Sequence, residues 1–166
     1  PLYTPSGSAP HHQSSVSGSV EAYLESGVPA DKLVLGMPLY GYRYDGVSGS
    51  QNGLYSTFTT ARSIPYDTLV ATYLSDPSYR QLRHAEARVP YLYGKGSFLS
   101  YDDPQSMAEK AALARELDLQ GIGFWELSQD RGAVLIESAV SQLDGSPFAD
   151  VSSGAWYAAA VAYVHE

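Results

Sequence analysis

Gly121-Ile-Gly-Phe-Trp-Glu-Leu-Ser-Gln-Asp-Arg-Gly132 is the stretch whose reading decides the fold. Its opening, Gly121 to Leu127, is a short apolar run with tryptophan near its end, the length of a strand buried in a parallel sheet. The polar residues that follow mark a loop. An indole placed there combines a broad apolar face with one N–H donor, a pairing that no aliphatic side chain offers.

Upstream, Leu33-Val-Leu-Gly-Met-Pro-Leu39 is a second apolar run with β-branched content and reads as a second buried strand. Helices flank both. Val16, Val20, Tyr23 and Leu24 recur at helical spacing, and Gly27 and Pro29 end that helix near residue 26. Asp102 and Asp103 before Pro104 supply an N-cap and a proline at the first helical position, and Met107, Ala111, Ala114 and Leu117 share one face of the helix that follows. Val134 to Leu143 reads as a third helix. Between Tyr40 and Ser100 the chain is rich in Tyr, Gly, Ser and Thr, with short alternating runs at Leu54 to Thr60 and Val89 to Tyr93. This reads as a small insertion of strands with a helix near 76–86. The fold class is α/β, and the order matches the back end of an alternating strand and helix array.

Composition narrows the function. A net charge of -8 over 166 residues excludes nucleic acid and anionic membrane surfaces as natural partners. The cluster Arg80, Arg83, His84 and Arg88 is short and mixed with acids, and reads as a solvated helix face. There is no cysteine, hence no disulfide or thiolate site, and no apolar run approaches the roughly 20 residues of a membrane helix. No signal-peptide pattern opens the chain, so an export signal is expected upstream of Pro1. Residues 1–15 read as a loop. His11-His12 has no third ligand at metal spacing, so no metal is expected. Gly46 to Gly53 is a glycine-rich turn without the lysine of a phosphate loop. Ser100, Asp102 and His84 form no ordered triad.

Leu33 to Gly41, Phe98 to Asp103 and Gly121 to Gly132 together resemble the last third of a glycoside hydrolase family 18 catalytic domain. The resemblance implies the C-terminal portion of a (β/α)8 TIM barrel over residues 1–143, with a small α+β insertion at about 44–100. It implies chitin or related N-acetylglucosamine glycans as partner, no cofactor, and Trp125 as the floor under the cleaved sugar. Tyr40, Tyr42 and Arg43 stand where the adjacent strand enters the cleft and are the further substrate-binding candidates. Many members carry Arg directly after Gly41; here Tyr42 takes that place.

No catalytic residue is assigned. Strand alternation turns Glu126 away from the side that carries Gly123 and Trp125. The family's acid belongs to an Asp-x-x-Asp-x-Asp-x-Glu motif, a spacing absent from this sequence and expected upstream of it. The intact parent is then a chitinase-like retaining hydrolase, with a glycan-binding lectin or a cell-wall or spore glycan hydrolase as alternatives. After a polar link at 144–147, residues 148–166 (Phe148, Asp150, Trp156, Tyr157, Ala160, Val161) resemble the start of an S-layer homology module. That resemblance implies attachment to bacterial cell-wall polysaccharide and an extracellular, cell-surface location.

Overall fold

The computed structural model describes residues 1–8 and 14–143. His11-His12, the 144–147 link and the 148–166 module lie outside the described residues.

In chain order the elements are α1 (Val16–Glu25), β1 (Val34–Pro38), β2 (Tyr40–Asp45), β3 (Thr60–Pro65) and α2 (Tyr66–Leu69), which a π-helical turn extends over Val70–Leu74. There follow β4 (Arg80–His84), β5 (Val89–Gly94), β6 (Ser97–Ser100), α3 (Pro104–Glu116), β7 (Gly121–Trp125) and α4 (Val134–Val140). β1 and β7 form a parallel pair in register from Val34 opposite Gly121 to Pro38 opposite Trp125. A parallel pair needs a long crossover. Here it contains an entire antiparallel sheet of order β3-β2-β6-β5-β4, followed by α3.

The N-cap read from sequence at Asp103 is made, and the structure adds one at Ser15. The Ser15 hydroxyl accepts from Gly18 N–H to start α1. Asp103 accepts from Ser106 N–H while Ser106 Oγ accepts from Asp103 N–H, closing a reciprocal box around Pro104 at the head of α3. Met37, Leu39, Leu69, Leu92, Leu99, Met107, Ile122 and Leu135 are buried in one contiguous core that joins the parallel pair to the inserted sheet. Each such aliphatic side chain contributes about 1.5–3 kcal/mol on leaving water.

Three expectations are corrected. The stretch read as a helix near 76–86 contains β4, paired antiparallel with β5 from Arg80 opposite Tyr93 to His84 opposite Val89. Its good helix formers are overridden by strand pairing, and the helix of this region lies earlier, at Tyr66–Leu74. The basic cluster is therefore not a helix face. Arg83 pairs with Asp103, Arg80 Nη1 donates to Asn52 Oδ1 at 2.6 Å, and Arg88 Nε lies 3.0 Å from Glu109 Oε2. The strand expected at Leu54 to Thr60 begins only at Thr60, after the short turn at Ser50–Gly53 and an irregular run-out.

Candidate functional site

The site grows from the pleat of the parallel pair. Leu35, Met37, Ile122 and Phe124 turn toward the core, so Val34, Gly36, Pro38, Gly121, Gly123 and Trp125 share the opposite face. Three of these six are glycines. A Cβ at Gly36 or Gly121 would meet nothing within 4 Å, and one at Gly123 only a Val34 methyl at 3.5 Å. This face stays low until Trp125, whose side chain stands 71% exposed at the C-terminal end of β7. The strand ends are fastened where it matters: Leu39 N–H donates to the Trp125 carbonyl at 2.8 Å, and the Trp125–Glu126 peptide is cis.

Leu39 carries the chain directly into β2, where Tyr40, Tyr42 and Tyr44 alternate onto one face. The Tyr40 and Tyr42 rings meet edge to face at 5.8 Å, and Tyr42 and Tyr44 lie 6.2 Å apart at 30°. Tyr42 is 43% exposed, while Tyr40 and Tyr44 are half-buried. Burial raises the Tyr44 hydroxyl above its ordinary pKa, and Tyr42 adds to the effect. The ring of Phe58, from the loop before β3, packs on Tyr44 at 4.9 Å and is itself 53% exposed.

Arg43, counted among the sugar-contacting candidates, points the other way. Its Nε donates to Asp45 Oδ1 at 2.8 Å, Nη1 to Tyr73 Oη at 3.0 Å and Nη2 to Ser97 Oγ at 3.1 Å. The guanidinium also lies 5.5 Å from the Tyr73 ring centroid. The Ser97 hydroxyl, donating at 2.6 Å, and then Arg43 hold the Asp45 carboxyl below the usual range. Arg43 thus braces the underside of the sheet that carries Tyr42.

The two carboxylates that follow Trp125 in sequence are engaged locally. Glu126 is exposed and accepts from Ser128 Oγ at the turn that follows. Asp130 is 2% exposed and accepts from the N–H groups of Val134, Leu135 and Ile136 at 3.1, 2.8 and 3.1 Å, capping α4. Among the described residues no group of three or more His, Asp or Glu could hold a metal ion. Sequence reasoning missed Tyr44 and Phe58. The period-two run Tyr40-x-Tyr42-x-Tyr44 carried the signal for Tyr44, whereas nothing local places Phe58.

Parallel strands end in an exposed indole, beside an inserted sheet faced with tyrosines, in a mixed α/β protein. The profile of Glycosyl hydrolases family 18 matches residues 1–130, and the chain belongs to that family. It is 39% identical over 130 residues to chitinase A1 of Niallia circulans, a match spanning 72% of this chain and 19% of that protein. Among solved structures it is similar to the family 18 N-acetylglucosaminidase of Paenibacillus barengoltzii, with a TM-score of 0.80 and 30% identity over 86% of this chain and 42% of the other. Chitinase ChiA74 of Bacillus thuringiensis superposes with a TM-score of 0.81 and 30% identity over 92% of this chain and 29% of the other. The chain thus spans well under half the length of these relatives.

Proposed function

We propose that this chain is part of a chitinase-like hydrolase acting on β-1,4-linked N-acetylglucosamine, and that it supplies the floor and one wall of the sugar cleft. The observation that carries the reading is Trp125, a largely exposed indole fixed at the common end of β1 and β7, next to the Tyr40–Tyr42 face. Residues 1–143 would complete the C-terminal portion of a TIM barrel, with the sheet inserted at about 44–100 deepening the cleft. Strand C-termini form the active-site face of such barrels, which is where Trp125 and Tyr40 stand. The chemistry follows the substrate-assisted variant of glycoside hydrolysis: the acetamido oxygen attacks the anomeric carbon, one Glu acts as acid and then base, and configuration is retained. That Glu belongs to sequence outside these residues. No cofactor enters the scheme.

The S-layer-like segment at 148–166 supports a cell-surface, extracellular location and a second contact with cell-wall polysaccharide. Comparing retention of the full chain and a chain ending at Leu143 on purified cell-wall polysaccharide tests this part; equal retention removes it.

The main test is calorimetric titration of the 166-residue chain with N-acetylglucosamine tetramer. Binding that is lost on Trp125→Ala, with unchanged circular dichroism, is expected. Binding indifferent to Trp125→Ala overturns the reading.

A further inference from the structure

We infer that Asn52–Gly53 is a latent modification site: Arg80 on β4 and a left-handed backbone hold it shut against deamidation, and opening of the 50–58 loop exposes it. The inference concerns the inserted sheet alone and stands apart from the sugar cleft.

Asn52 is the sole asparagine among the 166 residues, and glycine follows it. That is the most labile setting for a thermolabile residue, because the following backbone nitrogen carries no neighbouring Cβ to hinder it. The Gly53 nitrogen, on losing its proton, attacks Cγ of the Asn52 side chain, and ammonia leaves. The cyclic succinimide so formed takes up one water at either of its carbonyls. Opening at one gives aspartate; opening at the other gives isoaspartate, whose main chain runs through Cβ and is longer by that methylene. The balance is asparagine plus water to acid plus ammonia, with no oxidant or co-reactant.

The turn itself demands this pair. Gln51, Asn52 and Gly53 have φ of +48°, +55° and +83° in succession. Asparagine enters the left-handed region more readily than most side chains, and a Cβ at Gly53 would fall 2.7 Å from Tyr93 Cδ2. Lability is thus a by-product of building the turn.

Two features keep the native turn unreactive. At ψ of +37° the Gly53 nitrogen lies nearly anti to Asn52 Cβ about the Cα–C bond, whereas closing the succinimide ring needs the two nearly eclipsed. Arg80 Nη1 donates to Asn52 Oδ1 at 2.6 Å and ties the carboxamide to β4. Tyr55 Oη, 3.0 Å from His84 Nε2, is the loop's other tie to the same strand. Attack therefore requires Asn52 to leave the left-handed region, which breaks the Arg80 contact. Openings of this kind are a minor population in a docked loop. Aspartate can return to Arg80 as an ion pair. Isoaspartate cannot, because its longer main chain has no place beside a Gly53 already pressed against Tyr93. Modification converts a reversible opening into a permanent release of the loop from β4.

The test incubates the 166-residue chain at mildly alkaline pH, in buffer and unfolded in urea, and follows Asn52 by peptide mapping with fragment spectra that separate it from Gln51. Conversion in buffer should be about tenfold slower than in urea, or slower still, and should rise about three- to tenfold in Arg80→Ala. Arg80 is exposed, so its truncation spares the core, and thermal melts check this. Tyr55→Phe, which releases the loop's other tie without touching Asn52, should raise the rate in the same direction. Equal rates in buffer and in urea overturn the shielding. A folded Arg80→Ala variant that converts no faster than the parent overturns the assignment of Arg80 as the gate.

Discussion

The Lys110 ammonium lies 2.7 and 2.6 Å from the two oxygens of the Asp102 carboxylate, and both side chains are more than nine-tenths buried. Ser106 Oγ donates to the same carboxylate at 2.7 Å. Two charges taken this far from water tolerate each other only as a pair. Lys110→Met should therefore lower the unfolding free energy by about 3–5 kcal/mol, while adding Asp102→Leu to it should restore most of the loss. Urea unfolding of the two variants checks this; a single variant as stable as the parent would contradict it.

Asp130 accepts three backbone N–H groups at the start of α4, where no side chain from the N-cap residue Ala133 can do so. Asp130→Ala should cost about 1–2 kcal/mol of stability. It should leave oligosaccharide binding unchanged in the fraction that remains folded. A binding loss without a stability loss would give Asp130 a role in the site instead.

Asp76 receives the Lys95 ammonium at 2.7 Å and the Ser78 N–H at 2.9 Å, which together lower its carboxyl from 3.8 to about 2. A carboxyl depressed in the folded state adds stability above its unfolded pKa and loses it as pH falls from about 3.8 toward 2. An NMR titration should place the Asp76 midpoint near 2, and Lys95→Ala should move it upward. A midpoint indifferent to that substitution would assign the shift to the Ser78 contacts alone.

Gly41 lies within β2 against the end of β6, with no room for a side chain: a Cβ would stand 2.5 Å from the Ser100 carbonyl and 2.9 Å from the Tyr101 Cβ. Gly41→Ala should cost about 1–3 kcal/mol, the range of overpacked sites. Since Gly41 separates Tyr40 from Tyr42, the change should weaken sugar binding as well. Thermal melts and oligosaccharide titration read the two effects separately.

Purified by itself, the 166-residue chain should release no soluble N-acetylglucosamine oligomers from chitin, because Asp130 is committed to capping α4 and Glu126 to the turn at Ser128. Measurable release in a reducing-end assay would reopen the assignment of Glu126.

What could be read in the sequence was what is encoded locally. The two parallel strands show as apolar runs because Leu35, Met37, Ile122 and Phe124 supply one face to the core, and α3 announces itself through Asp103 and Pro104. β4 was illegible because Arg80-Gln-Leu-Arg-His84 has ordinary helix formers, and its strand state depends on β5. Arg43 misled for a related reason. Its position just past Gly41-Tyr42 suggested the cleft, but its partners Tyr73 and Ser97 lie 30 and 54 residues away in sequence. The ring of Phe58 was invisible likewise, since its partner Tyr44 stands on β2.

The crossover between β1 and β7 also sets an order of events during folding. One side of the inserted sheet is made of near neighbours: β5 and β6 meet through a tight two-residue turn at Lys95 and Gly96, both at positive φ, and β4 joins β5 across a short loop, while β2 reaches β6 from farther back in the chain. Such contacts close little chain and can form early, whereas β1 must find β7 across everything between them. Once the sheet and α3 have formed, however, Leu39 and Gly121 are no longer the ends of a long floating loop. The insertion then acts as an internal chaperone for the parallel pair, and substitutions that loosen it should slow the arrival of Trp125 at its place before they alter the finished protein.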